Sequence, residues 1–386
     1  MNKIKLLNKI AAVGTDNFDK AKYTVGEDID APDAIMVRSS DMLSMEMNPE
    51  LKAIARAGAG VNNIPVDKCA EQGIVVFNTP GANANGVKEL AIAAMLLAAR
   101  DIIGGVEWVK ENNGDENIEK TVEKAKSKFA GTELKGKTLG VIGLGAIGGL
   151  VANAAVHLGM NVIGFDPYLS VDAAWLLSRS IVKASSYDDI YEKSDYITLH
   201  IPATDETKGM FNSAVFAKMK DGVRIINLSR AGLVNSSDIK EALASKKIAA
   251  YVTDFPIPDI VGVPGIICIP HLGASTEESE DNCAVMAALQ LIEFLENGNI
   301  KNSVNYPDVS MPHSGEKRIC VMHKNIPNLI SHLSAALGAD NINIENMISR
   351  SKKDFAYSIF EINGRLPDEV IEKLRSVSGV IRVNIY

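Results

Sequence analysis

Six short apolar runs between residues 138 and 271 constrain the fold of this chain more than any other feature. They are TLGVIGLG, NVIGFDP, SDYITLHIP, VRIINLS, IAAYVTDF and GIICIPH, which begin at residues 138, 161, 194, 223, 248 and 265. Their branched residues follow one another without polar alternation, which is typical of strands covered on both faces. Helical patterns separate the runs, so we predict one Rossmann-type doubly wound parallel sheet of six strands.

Shorter units of the same kind precede this series, at 33–39, 51–58 and 74–80. They predict a second α/β domain of the flavodoxin-like type. Long helices predicted at 86–112 and 278–298 would carry the chain out of this domain and back, with the polar stretch 111–124 as a crossing. We therefore predict a first domain of residues 1–93 and 282–304, with residues 94–281 inserted as the Rossmann domain.

The C-terminal part has a different pattern. Residues 302–317 are rich in Pro, Ser, Asn and Gly and lack apolar periodicity, so we predict a linker at 305–317. Strand and helix patterns then alternate over 318–386 in the order βαββαβ, which predicts a ferredoxin-like domain.

Bulk properties exclude several classes of protein. A net charge of -8 gives no basic surface for nucleic acid. The longest apolar stretch, at 90–99, has about half of the roughly 20 residues that a membrane helix needs. The four cysteines are far apart in sequence, which favours reduced thiols in a cytoplasmic protein over disulfides or a metal site.

The sequence GLGAIG lies between the first Rossmann strand and a helical pattern. Gly143 permits a tight turn, Gly145 lets a pyrophosphate approach the backbone, and Gly148 lets helix and strand pack closely. With Ala146 and Ile147, these residues predict a dinucleotide site at a helix N-terminus. Asp166 ends the next strand, where a carboxylate binds a ribose 2′-hydroxyl and repels a 2′-phosphate, so NAD is favoured over NADP.

Two further side chains follow strands of the same predicted sheet. Arg230 follows the run at 223–229, and His271 ends the run at 265–271. An arginine can bind a carboxylate with two hydrogen bonds, and a histidine can exchange a proton with a hydroxyl. At one edge of the sheet, the two side chains could therefore act on a carboxylate and a neighbouring hydroxyl.

Together with GLGAIG and FDPY, these residues resemble the D-isomer-specific 2-hydroxyacid dehydrogenases. The likeness extends over nearly the whole chain, through ARAGAGVNNIPVD at 55–67, FNTPGANANGVKEL at 77–90, FAGTELKGKTLGVIGLG at 129–145 and PHLGAST at 270–276. The C-terminal unit resembles the ACT domain that one branch of this family carries.

The resemblance implies NAD-dependent oxidation of 3-phospho-D-glycerate to 3-phosphohydroxypyruvate, the first step of serine biosynthesis, by a homodimer or homotetramer. Arg230 would bind the substrate carboxylate and C2 oxygen, and His271 would remove the hydroxyl proton. Further cofactor contacts are expected from His200, Pro202, Thr207, Asp254 and Gly273.

In this family a Glu usually follows the strand before the histidine and holds the imidazole. Here Pro258 stands at the matching position. We predict that the adjacent Asp259 takes this role, and that Asp254 faces the nicotinamide amide.

The resemblance also assigns substrate and effector contacts. Substrate contacts are predicted at Arg38, Ser39, Gly60 and Asn83, and at Arg56, for which a structural ion pair is the alternative. An L-serine effector site is predicted at His323, Asn325 and Asn343, although both asparagines could serve only a turn and a strand start.

Three other functions remain open from the sequence. The chain could be another D-2-hydroxyacid dehydrogenase, such as a glyoxylate or hydroxypyruvate reductase, but Arg38 and the ACT-like unit favour a phosphorylated substrate. It could be a non-catalytic NAD-sensing regulator, which a turnover assay would distinguish. An amino-acid-binding module would explain only residues 318–386.

Overall fold

The computed structural model describes residues 1–386. The strands are β1 Asn2–Leu6, β2 Tyr23–Gly26, β3 Ala34–Val37, β4 Ala53–Arg56, β5 Val75–Phe77, β6 Thr138–Ile142, β7 Asn161–Phe165, β8 Val182–Lys183, β9 Tyr196–Leu199, β10 Val223–Asn227, β11 Ile248–Thr253, β12 Ile266–Cys268, β13 Lys317–Lys324, β14 Ile344–Lys352, β15 Phe355–Ile362 and β16 Val380–Ile385. The α-helices are α1 Ala12–Thr15, α2 Val66–Glu71, α3 Ala84–Ala99, α4 Ile102–Glu111, α5 Ile118–Ala125, α6 Ala146–His157, α7 Val171–Trp175, α8 Tyr187–Lys193, α9 Ser213–Lys218, α10 Ser236–Ala244, α11 Glu277–Asn297, α12 Leu329–Gly338 and α13 Asp368–Ser376. Short 3-10 helices lie at Lys126–Phe129 and Ala231–Leu233.

The chain divides into two compact units, which are described separately. The first unit contains Met1–Asn83 and Glu277–Tyr386, and the second contains Ala84–Thr276. The sequence pattern predicts the two crossings at 93/94 and 281/282. The whole of α3 groups with the second unit because it packs against α6, β10 and β11.

The first unit has a five-stranded parallel sheet in the order β2-β1-β3-β4-β5. This is the strand order of flavodoxin-like folds, the type of domain predicted for this part of the chain. The prediction found β3, β4 and β5, whose residues are almost all buried, but it did not include β1 and β2. Those two strands carry exposed and half-buried residues, which weakens their apolar pattern.

The first unit also contains an antiparallel sheet in the order β14-β15-β13-β16, with α12 and α13 packed on it. The order βαββαβ is confirmed. One face of this sheet shares a hydrophobic core with α11 and the parallel sheet. Members of that core include Ala34, Phe77, Ala287, Phe294, Cys320, Met322, Tyr357 and Ile359.

The predicted linker 305–317 contains no helix or strand up to residue 316, but its first three residues are buried. Tyr306 is fully buried and its hydroxyl donates to the carbonyl of Ala70 at 2.7 Å. The Asn305 amide donates to the Ile74 carbonyl, and its oxygen accepts from the Val76 amide. These bonds fix the segment to the edge of the parallel sheet at β5.

A buried ion pair joins the end of α11 to the antiparallel sheet. Arg318 and Glu361 are both fully buried, with Nη2 and Oε1 2.6 Å apart. Arg318 Nη1 also donates to the Asn297 carbonyl, the last residue of α11, and Nη2 donates to the carbonyl of Met311. One guanidinium therefore joins the helix end, the connecting segment and the sheet.

The second unit has a parallel sheet in the order β12-β11-β10-β9-β6-β7-β8. The strands run outward in both directions from β6, as in a Rossmann fold. The sheet has seven strands rather than the predicted six. The additional strand, β8, consists of two exposed residues and therefore has no apolar signal.

The helix predicted at 86–112 is wrong as a single helix, because the chain breaks between α3 and α4. Asp101 caps α4, with its carboxylate accepting from the Gly104 amide at 2.9 Å. The polar crossing at 111–124 contains most of α5. By contrast, α11 ends at Asn297, and Gly298 follows with a positive φ of 70°, as predicted. No helix in the chain combines the length and apolar character that a bilayer crossing requires.

Candidate active site

The glycine turn between β6 and α6 has the geometry that its spacing predicts. Gly143 has a φ of 87°, and its amide donates to the Phe165 carbonyl at 2.9 Å. A Cβ on Gly148 would lie 1.9 Å from the Gly143 carbonyl oxygen, so this position requires glycine. Gly145 caps α6, and a Cβ there would meet nothing within 4 Å. The turn therefore leaves open space at a helix N-terminus, where Ala146 and Ile147 begin the helix.

Asp166 lies directly after β7, beside this turn. Its Oδ2 accepts a hydrogen bond from the Leu144 amide at 2.9 Å, and its Oδ1 accepts from the Tyr168 amide at 2.8 Å. The carboxylate thus has a fixed orientation next to the glycine turn. Each oxygen has a further lone pair that can accept from a ribose hydroxyl.

The segment after β9 holds the other predicted cofactor residues. The imidazole Nε2 of His200 lies 2.9 Å from Thr198 Oγ1, and its Nδ1 is buried without a partner. Burial lowers the pKa of His200 to about 4, so the ring is neutral at pH 7. Thr207 Oγ1 donates to the Pro202 carbonyl at 2.7 Å and closes this loop.

Arg230 follows β10 and is exposed. The side chain of Asn227, the last residue of β10, is fully buried and donates to the Arg230 carbonyl at 2.9 Å. The Arg230 guanidinium donates from Nη1 to the Ser229 carbonyl at 2.6 Å. Asn227 was not predicted from the sequence, although its place at the strand end before an arginine is a usable signal.

His271 lies in the segment after β12, with a left-handed φ of 46°. Its amide donates to the carbonyls of Asp254 and Ile269, at 3.0 and 2.9 Å. The ring centroids of Phe255 and His271 are 4.8 Å apart. The His271 imidazole is exposed and makes no hydrogen bond. A non-glycine residue in this conformation costs energy, so the surrounding bonds hold it there.

Asp254 is the buried carboxylate beside this histidine. The side chain of Asp254 is 1% exposed, and its Oδ2 accepts from the Gly273 amide at 3.0 Å. Its Oδ1 is buried and has no partner. Burial raises the pKa of Asp254, while the Gly273 amide and the charges of His271 and Arg230 oppose this rise. Asp254 is thus close enough to both catalytic candidates to interact with their charges.

Asp259, the acid predicted to orient His271, lies in the connection between β11 and β12. Its side chain is exposed and makes no hydrogen bond or ion pair. Hydrogen bonds therefore join Asp254 to Gly273 and to the His271 backbone, whereas Asp259 makes no such bond.

Among the predicted substrate residues of the first unit, Arg38 and Ser39 follow β3, and Arg56 ends β4. The Asn8 side-chain oxygen accepts from the amides of Arg38, Ser39 and Ser40, at 3.2, 3.0 and 2.9 Å. Asn8 was missed from the sequence because it lies about thirty residues away from the turn that it holds.

Arg38 and Arg56 are neighbours in this region. Arg56 Nε donates to the Arg38 carbonyl at 3.1 Å, and Gly58 leaves room for the Arg56 guanidinium, which a Cβ would approach within 2.3 Å. Gly60 follows in the same loop. Asn83 is partly exposed and immediately precedes α3.

Arg38 is paired with an acid that the sequence analysis did not identify. Its Nη2 lies 2.6 Å from Glu280 Oε1, in the first turn of α11. The two side chains are 41% and 42% exposed. Because 242 residues separate the partners in sequence, no local pattern indicates the contact.

The three predicted effector residues are not all open to a ligand. His323 is buried, with Nδ1 2.8 Å from the Lys324 carbonyl and Nε2 2.8 Å from Ser358 Oγ. Burial lowers the pKa of His323. The amide of Asn325 donates to the Lys353 carbonyl, and that of Asn343 donates to Glu345.

Sequence comparison identifies similar proteins. The family model described as "D-isomer specific 2-hydroxyacid dehydrogenase, NAD binding domain" matches residues 92–273. A D-3-phosphoglycerate dehydrogenase of Methanocaldococcus jannaschii is 32% identical, over 98% of this chain and 72% of its own. One from Archaeoglobus fulgidus is 37% identical, over 72% of this chain and 52% of its own. The chain thus spans about half the length of some of the curated relatives that it matches.

Structure comparison agrees with the fold. A cofactor (NAD+)-bound 3-phosphoglycerate dehydrogenase of Entamoeba histolytica has a TM-score of 0.59 at 26% identity, over 79% of this chain and 98% of its own. A D-mandelate dehydrogenase of Rhodotorula graminis has a TM-score of 0.67 over 81% of this chain and 99% of its own. At 22% identity, the second likeness shows the fold alone.

Proposed function

Because this chain belongs to the D-isomer-specific 2-hydroxyacid dehydrogenases, we propose that it oxidises 3-phospho-D-glycerate to 3-phosphohydroxypyruvate with NAD, the first step of serine biosynthesis. Relatives named D-3-phosphoglycerate dehydrogenase that match 91% to 98% of the chain support this substrate. The neighbouring residues Arg38 and Arg56 support it further, since guanidinium groups bind phosphate well.

The observation that carries the proposal is the group of Arg230, His271 and Asp254 in one unit. The exposed Arg230 guanidinium can bind the substrate carboxylate and polarise the C2 oxygen. The exposed His271 imidazole has no partner and can accept the C2 hydroxyl proton, provided that it starts neutral. An ionised Asp254 stabilises the imidazolium that results, because opposite charges attract.

The glycine turn fits NAD. Open space at Gly145 admits a pyrophosphate to the N-terminus of α6, and the fixed Asp166 carboxylate accepts from a ribose hydroxyl while repelling a 2′-phosphate. The neutral His200 adds no charge beside the turn. Bound NAD supplies the hydride acceptor for C2.

A substrate panel tests the function. NADH formation would be measured from 3-phosphoglycerate, D-glycerate, D-lactate and D-2-hydroxyglutarate, with wild type and Arg38→Ala. We expect the highest kcat/KM for 3-phosphoglycerate, and an increase in its KM with Arg38→Ala that exceeds the increase for D-glycerate. Turnover of an unphosphorylated acid alone, or no turnover at all, would reject the proposal.

We also propose that an ACT-type domain of residues 318–386 binds L-serine at His323, Asn325 and Asn343, for which the buried His323 ring would exchange its bond to Ser358 Oγ for one to the ligand. The carbonyl and amide groups of two asparagines can meet both ends of an amino acid. Thermal unfolding with millimolar L-serine, and D-serine as control, tests this. A transition temperature that rises with the L-isomer alone supports it, and no rise contradicts it.

The domain division by residue number and a homodimer or homotetramer belong to the same proposal. Helix α4 supports association, because none of its residues is buried and four aliphatic side chains are 42% to 48% exposed: Ile102, Ile103, Val106 and Val109. Exposed apolar patches on helices often mark protein interfaces.

A further inference from the structure

The ion pair between Arg38 and Glu280 lies where the substrate phosphate is expected to bind. We propose that Glu280 determines substrate specificity, because its carboxylate occupies the Arg38 guanidinium and competes with the phosphate for it. The inference rests on the proposed function, since it assigns Arg38 to the phosphate end of the substrate. It concerns residues of one unit only, with Arg38 after β3 and Glu280 in α11.

The surrounding charges support competition rather than a passive contact. The Arg56 guanidinium is bonded to the Arg38 carbonyl, so a second positive charge lies beside the backbone of Arg38. The thiol of Cys283, one turn after Glu280 on α11, is near all of them: burial raises its pKa, Arg56 and Arg38 oppose the rise, and Glu280 adds to it. Glu280 therefore lowers the net charge of this cluster from two to one.

The energies involved allow a phosphate to displace the carboxylate. An ion pair with both partners about two-fifths exposed contributes little stability, because water screens it. A phosphate monoester carries a charge of about −1.5 to −2 at pH 7 and therefore binds a guanidinium more strongly than one carboxylate does. A carboxylate that stays nearby still repels the bound phosphate.

This repulsion acts on one class of substrate. An unphosphorylated 2-hydroxy acid has no phosphate to bring to Arg38, so it leaves the Arg38–Glu280 pair intact. A phosphorylated acid must break the pair. Glu280 therefore weakens binding of phosphorylated substrates selectively, and it sets how much phosphate must be present before Arg38 is occupied.

The test compares Glu280→Gln with Glu278→Gln in the full chain. Glutamine at 280 keeps the length and the hydrogen-bond acceptor but removes the charge. Glu278 is exposed in the same first turn, so its change removes an equal charge without touching the pair. Calorimetry would give the Kd of inorganic phosphate, 3-phosphoglycerate and D-glycerate for each variant and wild type.

We expect Glu280→Gln to tighten binding of inorganic phosphate and 3-phosphoglycerate by about three- to tenfold, as removal of one nearby like charge predicts. D-glycerate binding should stay unchanged, and Glu278→Gln should change none of the three.

Other results overturn the inference. Weaker or equal phosphate binding by Glu280→Gln would mean that Glu280 orients Arg38 instead of competing for it. Equal tightening of all three ligands, or equal effects of the two variants, would mean a general effect of net charge. If wild type fails to oxidise 3-phosphoglycerate, the proposed function fails, yet the inorganic phosphate comparison still decides whether Glu280 competes for Arg38.

Discussion

At the scale of single residues, Asp254 is the side chain whose surroundings say most about catalysis. It is buried, it holds the segment after β12 through the Gly273 amide, and one of its oxygens lacks a partner. A buried polar atom without a partner is costly and usually has a functional reason. The charges of His271 and Arg230, which lower the pKa of Asp254 against the effect of burial, support the proposal that this carboxylate acts on His271.

We predict that Asp254→Asn lowers kcat/KM for oxidation by at least about tenfold and moves the acid limb of its pH profile to lower pH. The limb moves because oxidation needs a neutral imidazole, and loss of a nearby carboxylate destabilises the protonated form. The measurement is kcat/KM from pH 5 to 10. Asp259→Asn is the matched variant, and Asp259 is established as the orienting acid if only that variant moves the limb.

The same substitution has a consequence for stability. Because burial raises the pKa of Asp254, its contribution to the free energy of unfolding is fully present below the unfolded-state pKa of about 3.9 and is lost as pH rises through the folded-state pKa. Urea unfolding should therefore show Asp254→Asn gaining stability relative to wild type from acid to neutral pH. A constant difference across that range would contradict the assignment.

Some site residues can be identified from nearby sequence alone, and others depend on contacts with distant parts of the chain. Gly143, Gly145, Gly148 and Asp166 were predictable because spacing from strand ends fixes their positions. The choice between Asp254 and Asp259 was not, because it depends on side-chain directions in an irregular segment. The contact of Glu280 with Arg38 was also not predictable, since the two residues are far apart in sequence.

At the scale of elements, two glycines of the β6–α6 turn should respond differently to a methyl group. Gly148→Ala places a Cβ 1.9 Å from a backbone oxygen, so we expect lower stability in thermal unfolding. Gly145→Ala meets open space, so we expect an unchanged transition temperature but at least about tenfold weaker NADH binding, because the methyl group fills the pyrophosphate site. Fluorescence titration measures the affinity, and unaltered affinity in Gly145→Ala would place the pyrophosphate elsewhere.

The antiparallel sheet depends on its buried ion pair. Burial would raise the pKa of Glu361, but hydrogen bonds from Ser314 and Arg318 outweigh it and lower the pKa to about 2. The stabilisation is therefore fully present above about pH 4.5 and is lost as pH falls towards 2.

We predict that Glu361→Ala costs about 3–5 kcal/mol in urea unfolding at pH 7, because it leaves the Arg318 charge buried and unpaired. The double variant Arg318→Met, Glu361→Leu is the control and should recover part of the loss. A double variant no more stable than Glu361→Ala would mean that packing, and not the unpaired charge, accounts for the cost.

The elements themselves were mostly predictable. All strands of the doubly wound sheet except β8 were found, because buried branched residues leave an unambiguous pattern. The break between α3 and α4 was missed, because apolar residues continue through 102–109 and only the cap at Asp101 marks the new helix.

At the scale of the whole molecule, the exposed aliphatic residues of α4 bear on assembly. We predict that Val106→Glu shifts the mass measured by light scattering after gel filtration from an oligomer towards the monomer, because a carboxylate at an apolar interface must be desolvated. Val182→Glu, at a residue 60% exposed in another part of the unit, is the control. An unchanged mass for Val106→Glu would exclude this face from the interface.

The hydrophobic core that runs from the parallel sheet through α11 into the antiparallel sheet affects how such a chain can be rebuilt. Residues 318–386 resemble a separable domain in sequence. Their removal would nevertheless take away core residues that pack with α11: Cys320, Met322, Tyr357 and Ile359. The truncated chain would then expose an apolar surface on α11. A shorter version of this chain without residues 318–386 would therefore need new polar residues on α11, and a foreign domain grafted in their place would have to reproduce the same apolar face.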